Sequence, residues 1–205
     1  MEKLPNEVEN IIKDYIIFKP KTNKEIKKAV YLWFENRDEA LIKYGDISNW
    51  DTSLITNMSS LFYWKEKFND NISNWDVSNV IDMEHMFTNC EKFNQPLDKW
   101  DVSNVTNMEA MFHYCPNFNQ PLNNWNVSNV ENMSEMFYSC YKFNQPLNNW
   151  DVSNVENMDE MFYHCDDFDQ SLNEWNISDN CCTDGMFYDT LLFDEEKNAK
   201  WYKFN

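Results

Sequence analysis

Residues 100–124 read Trp-Asp-Val-Ser-Asn-Val-Thr-Asn-Met-Glu-Ala-Met-Phe-His-Tyr-Cys-Pro-Asn-Phe-Asn-Gln-Pro-Leu-Asn-Asn. The same frame returns on both sides of this stretch without insertion. Tryptophans fall at 50, 75, 100, 125, 150 and 175, always 25 residues apart. Phe62, Phe87, Phe112, Phe137, Phe162 and Phe187 keep that step, as do Phe68, Phe93, Phe118, Phe143, Phe168 and Phe193. Cys90, Cys115, Cys140 and Cys165 form a further column. Six units of 25 residues therefore account for 50–199. A fixed short period marks a repeat array, in which each unit buries its apolar side only against its neighbours.

Local pattern predicts the shape of one unit. Met108, Met111, Phe112 and Cys115 sit at i, i+3, i+4 and i+7, the spacing of one helix face. Asn107 precedes them as a candidate N-cap, and acids follow in the first turn (Glu109, and Glu84 or Asp159 in other units). Trp100 and Val102 keep the two-residue step of a strand. The expectation is an α/β repeat solenoid, leucine-rich-repeat-like and right-handed, with one short strand and one short helix or 3₁₀ turn per coil. Strands stacked at ~4.8 Å would form a parallel sheet along a rod on the order of 30 Å long.

The string Met-Phe-x-x-Cys-x-x-Phe-Asn-Gln-Pro-Leu-x-x-Trp-x-Val-x-x-Val-x-x-Met resembles the BspA-like leucine-rich repeats. It is closer to the 25-residue variant of mycoplasma surface lipoproteins and large DNA viruses. The resemblance implies a leucine-rich-repeat-like fold, adhesion or protein binding in some members, and no shared enzyme chemistry.

The ends differ from the array. Residues 23–44 carry Ile26, Val30, Trp33, Phe34, Leu41 and Ile42 on an amphipathic pattern, predicting a helical cap within 19–49. Thr22-Asn23 suits its start and Gly45 its stop. The last unit decays, with Thr183 in the methionine column and Thr190 in the cysteine column, and 200–205 remain as a tail. Residues 1–18 form a separate segment. Leu4, Pro5, Val8, Ile11 and Ile12 follow helical spacing there, and they resemble the opening of an F-box, a module that binds a ubiquitin-ligase adaptor.

Composition removes several function classes. Lys plus Arg number 17 and Asp plus Glu 35, a net charge of −18, which repels phosphate backbones and anionic lipid. No apolar run approaches the ~20 residues of a membrane span, and the first ten residues lack a signal-peptide core. The expected location is therefore the cytoplasm, of a host cell or in a virion if the chain is viral. Two glycines exclude Gly-rich phosphate loops. The cysteines lack zinc spacing and read as reduced core residues. The three histidines occupy three different repeat positions, and no nucleophile motif occurs. An acidic column through Asp51, Asp76, Asp101 and Asp151 could be weighed for calcium, but its Asp-x-Ser-Asn context reads as a self-bonded turn. No enzyme, cofactor or metal is expected.

What varies between units carries the functional expectation. Tyr63, Trp64, His113, Tyr114, Tyr138, Tyr141, Tyr163 and His164 occupy positions on which the copies do not agree. Tyr and Trp anchor protein interfaces. The expected function is protein binding or a structural scaffold, with a partner of basic surface attracted by the acidic rod. The alternatives are an F-box-like substrate receptor and a surface adhesin.

Overall fold

The computed structural model describes residues 17–202. The F-box-like positions Leu4, Pro5, Val8, Ile11 and Ile12 lie outside that range. Two helices open the chain, α1 (Asn23–Glu35) and α2 (Arg37–Tyr44), followed by a 3₁₀ turn at Ile47–Asn49. Thr22 caps α1 by accepting the Glu25 N–H, Asn36 caps α2 through Glu39 N–H, and Gly45 ends α2 at φ 70°. Ile26, Val30 and Trp33 are buried, whereas Ile42 faces solvent, against the cap pattern. Trp33 sits edge-on to Trp50, and Phe34 edge-on to Phe62 and Phe68, so α1 closes the apolar end of the first coil. Asp70 fixes the junction by accepting from Trp33 Nε1 and pairing with Arg37.

The strand-and-helix coil predicted for the array does not form. Among the described residues the only helix after the cap is α3 (Glu195–Asn198), and β pairing is reduced to single parallel bridges such as Asp82 to Asn107 and Asn107 to Asn132. Each coil is instead a chain of turns. In the third coil Met111 N–H bonds Met108 carbonyl, His113 bonds Ala110, Cys115 bonds Phe112, and Phe118 bonds Cys115. Trp100 likewise closes on Leu97 and Val105 on Val102, where the strand was expected. The remaining amides point along the stack. Met108, Ala110, Phe112 and Tyr114 donate to the carbonyls of Asn132, Ser134, Met136 and Tyr138 in the next coil.

The failure has a physical cause. Consecutive four-residue turns bring their first and last residues to one side, so inward positions recur at three and four, as on a helix face. The backbone tells the two apart. Ala110 (φ 50°) and Tyr114 (φ 53°) are left-handed, as the third residue of a type II turn must be, and no right-handed helix contains such residues. Every coil repeats this pair, from Ser60 and Trp64 to Gly185 and Asp189. A non-glycine residue in this region costs about 1–2 kcal/mol. Here the N–H of the left-handed residue is the one donated to the next coil, so stacking offsets the cost locally. Asn107 is not a helix cap either; its Oδ1 accepts the Glu109 N–H two residues on.

Side chains stitch the coils as regularly as the backbone. The Phe rings form two parallel stacks, with centroids 5.5 Å apart at Phe62–Phe87 and 6.0 Å at Phe93–Phe118. Trp125 is 3% exposed, and its Nε1–H reaches the Leu97 carbonyl at 2.9 Å. Every later tryptophan of the column makes the same bond 28 residues back, and Trp201 extends it to Leu172. Asn119 Oδ1 accepts from Asn144 N–H and Gln145 Nε2, which explains why the Asn-Gln pair recurs. At the far end Trp201 stacks on Trp175, and Tyr202 packs edge-on to Phe187.

Candidate functional site

The left-handed turns decide which side chains leave the core. Positions that follow the first inner Phe, such as 113 and 114, lie between the inward Phe112 and Cys115 and are more exposed than either. Tyr63, Trp64, Tyr114, Tyr141 and Tyr188 are 40–59% exposed, while His113, Tyr138, Tyr163 and His164 are half-buried.

These residues form a row. His113 and Tyr138 rings lie 4.7 Å apart, Tyr138 and Tyr163 stack at 4.5 Å with parallel planes, and Tyr163 stacks on Tyr188 at 5.2 Å. Tyr114 flanks His113 at 4.7 Å and Tyr138 at 5.6 Å, and His164 lies edge-on to Tyr163. Tyr63 and Trp64 make a separate pair in the first coil, with His85 against Tyr63 at 5.9 Å. Tyr141 has no ring partner among the described residues and stands off the row. Tyr188 and His85 belong to the aromatic surface but were not among the expected site residues. Tyr188 shares the column of Tyr138 and Tyr163, a signal visible in the sequence.

Backbone strain concentrates on the same surface. The second left-handed position holds Trp64, Tyr114 and His164 in the first, third and fifth coils, and Asn89, Ser139 and Asp189 in the others. Asn, Asp and His enter this region most readily; Trp64 and Tyr114 do so at a cost, and the neighbouring coils must hold them there.

Acids line the row. Glu135 Oε2 lies 3.2 Å from His113 Nε2, and Asp189 Oδ2 lies 3.7 Å from His164 Nε2. Burial, with a smaller effect from His85, holds His113 down to a pKa of about 4, so burial outweighs the nearby carboxylate. Glu135 is the acid nearest Nε2, and Nδ1 is buried without a hydrogen-bond partner, which the bare lone pair of a neutral ring tolerates better than an N–H. Burial and the flanking Glu160 and Glu109 raise Glu135. Tyr138 is pushed up to about 12, first by burial and then by its neighbours Tyr114 and Tyr163.

The other weighed columns are occupied with structural bonds. Asp51, Asp76 and Asp151 accept from the N–H and hydroxyl of the serine two residues on. Hydrogen bonds from Ser103 and Ser153 hold Asp101 and Asp151 below the usual carboxylate range, and Lys19 does so for Asp51. Cys90, Cys115, Cys140 and Cys165 are free, buried thiols, each donating to the carbonyl of a Phe 28 residues earlier. Thr190 keeps that bond in the last coil.

Among protein families, residues 29–140 and 97–201 match one described as "Mycoplasma protein of unknown function, DUF285". This agrees with the mycoplasma side of the sequence resemblance and offers no support for its viral side or for the F-box-like start. No curated protein and no solved structure matches the chain.

Proposed function

The chain belongs to the DUF285 family, and on that premise we propose that it is a non-enzymatic docking protein whose aromatic row grips a protein partner of basic surface. One observation carries the reading. Rings from four successive coils, His113, Tyr138, Tyr163 and Tyr188, make a continuous partly exposed ridge at positions the core leaves free. Pre-stacked rings lose little rotamer freedom on binding, which favours them as anchors. The net charge of −18 and the carboxylates of Glu135, Glu160 and Asp189 beside the ridge favour a basic partner.

The test begins with affinity capture on the full chain and on Tyr138→Ser/Tyr163→Ser. A partner retained by the full chain is then measured kinetically against both proteins. Dissociation should be about tenfold faster for the variant, and added salt should slow association. Unchanged dissociation in the variant, together with loss of binding in Asp101→Ala on the turn face, would place the interface elsewhere.

A further inference from the structure

The junction between the second and third coils departs from the repeat at one spot. His85 stands in a column otherwise held by Ser60, Ala110, Glu135, Glu160 and Gly185. Thr88 is the one non-aromatic residue in the column of Tyr63, His113, Tyr138, Tyr163 and Tyr188. The two departures are bonded to each other. Thr88 is buried, and its hydroxyl lies 2.8 Å from the Ala110 carbonyl, to which it must donate. A hydroxyl has one proton, so toward His85 Nδ1, 3.1 Å away, the same oxygen can only accept. In the neutral ring Nδ1 therefore carries the proton, and Nε2 has the free lone pair.

That lone pair faces carboxylates. Nε2 lies 3.7 Å from Glu84 Oε1, and one ligand atom from each of Glu84, His85 and Glu109 lies within 4.8 Å of the others. Glu109 belongs to the next coil, and its place is set by the backbone bond from His85 N–H to the Glu109 carbonyl, 2.8 Å. Asn132 Nδ2 holds the Glu109 carboxylate at 2.9 Å, and the Tyr63 ring supports the imidazole edge-on. Three electron-pair donors converge, and two of them, His85 and Glu109, are steadied by residues outside the cluster.

We propose that Glu84, His85 and Glu109 bind a divalent transition-metal ion of the zinc class across this junction. One imidazole and two carboxylates suit zinc, with ligand distances of roughly 2.0–2.2 Å and a fourth place for water. Small rotations of the half-buried Glu84 and Glu109 arms close the remaining gap. The imidazole discriminates against magnesium and calcium, which take oxygen. Thr88 does for His85 what outer hydrogen-bond partners do for metal-bound imidazoles, fixing tautomer and ring orientation. The ion would tie two coils by side chains 24 and 25 residues apart.

The experiment is a zinc titration of the full chain by calorimetry, in excess magnesium to occupy the general acidic surface. The wild type should bind one equivalent saturably. His85→Ala, which places alanine where the third coil already has Ala110, should bind at least tenfold more weakly. Thr88→Val should lose about tenfold, and His164→Ala nothing. In histidine NMR spectra, zinc should move the His85 ring signals and leave those of His164. Thermal melts confirm that each variant is folded. Non-saturating uptake by the wild type, or equal affinity in folded His85→Ala, would overturn the assignment.

Discussion

Trp125→Ala tests whether the tryptophan column is a stabilising spine. The side chain is 3% exposed in the middle of the array, and its ring lies against Phe112. Truncation empties a site of indole size, a change that ordinarily costs about 3–5 kcal/mol. It also strips the Leu97 carbonyl of the Nε1–H donor at 2.9 Å, and an unsatisfied buried acceptor costs about 1–3 kcal/mol. The terms overlap, because water entering the cavity can bond the carbonyl, so the expected loss is about 4–6 kcal/mol. Trp125→Phe separates them: most of the ring stays while the donor goes, and the loss should be about 2–3 kcal/mol. Urea unfolding followed by circular dichroism gives both values, with Asn124→Ala as the exposed control. An array of this kind can lose cooperativity when a central unit weakens. A broadened or two-step transition for Trp125→Ala is thus part of the expectation. A midpoint shift no larger than that of Asn124→Ala would refute the argument.

Two further outcomes follow from the buried groups. In native protein Cys182, which is exposed, should alkylate first and Cys181, whose thiol burial pushes up to about 11, more slowly; Cys90, Cys115, Cys140 and Cys165 should react only on unfolding, as peptide mapping by mass spectrometry would show. Rapid labelling of any of those four in folded protein would contradict the packing. His113 has a folded pKa of about 4 against an ordinary 6.5, so the unfolded chain takes the proton first; its contribution is complete above pH 6.5 and is lost as pH falls toward 4. Glu135, raised in the fold, acts in the opposite sense over the acid side. His113→Tyr, which restores the ring type of Tyr138, should flatten the stability profile between pH 6.5 and 4 by on the order of 1–3 kcal/mol, read from urea midpoints.

The period, the core and the aromatic row could all be read from columns 25 residues apart, because stacking imposes the same environment on every copy. The secondary structure could not. Type II turns ordinarily announce themselves by glycine or asparagine at the third position. Here that position holds Ala110, Glu135, Glu160, Tyr114 and His164, so a turn chain wore the apolar spacing of a helix. The short strand at Trp100 and Val102 failed for a related reason. Alternation over two residues is also what a turn closing from Val102 to Val105 leaves behind. His85 looked solitary because its partner Glu109 is remote in sequence and only the coil register brings it near.

The uniform contract between coils has a mechanical consequence. Each of the first five coils hands four amides of its turn ladder to the next, and tryptophan, thiol and amide bonds run back the other way. Pulled from its ends, such an object has no single weak hinge; it behaves as a spool. Force would unwind one coil at a time, each releasing 25 residues, or about 85 Å of extended chain. A protein loaded along its axis could then lengthen in even steps while its remaining coils stay wound and their surface stays intact.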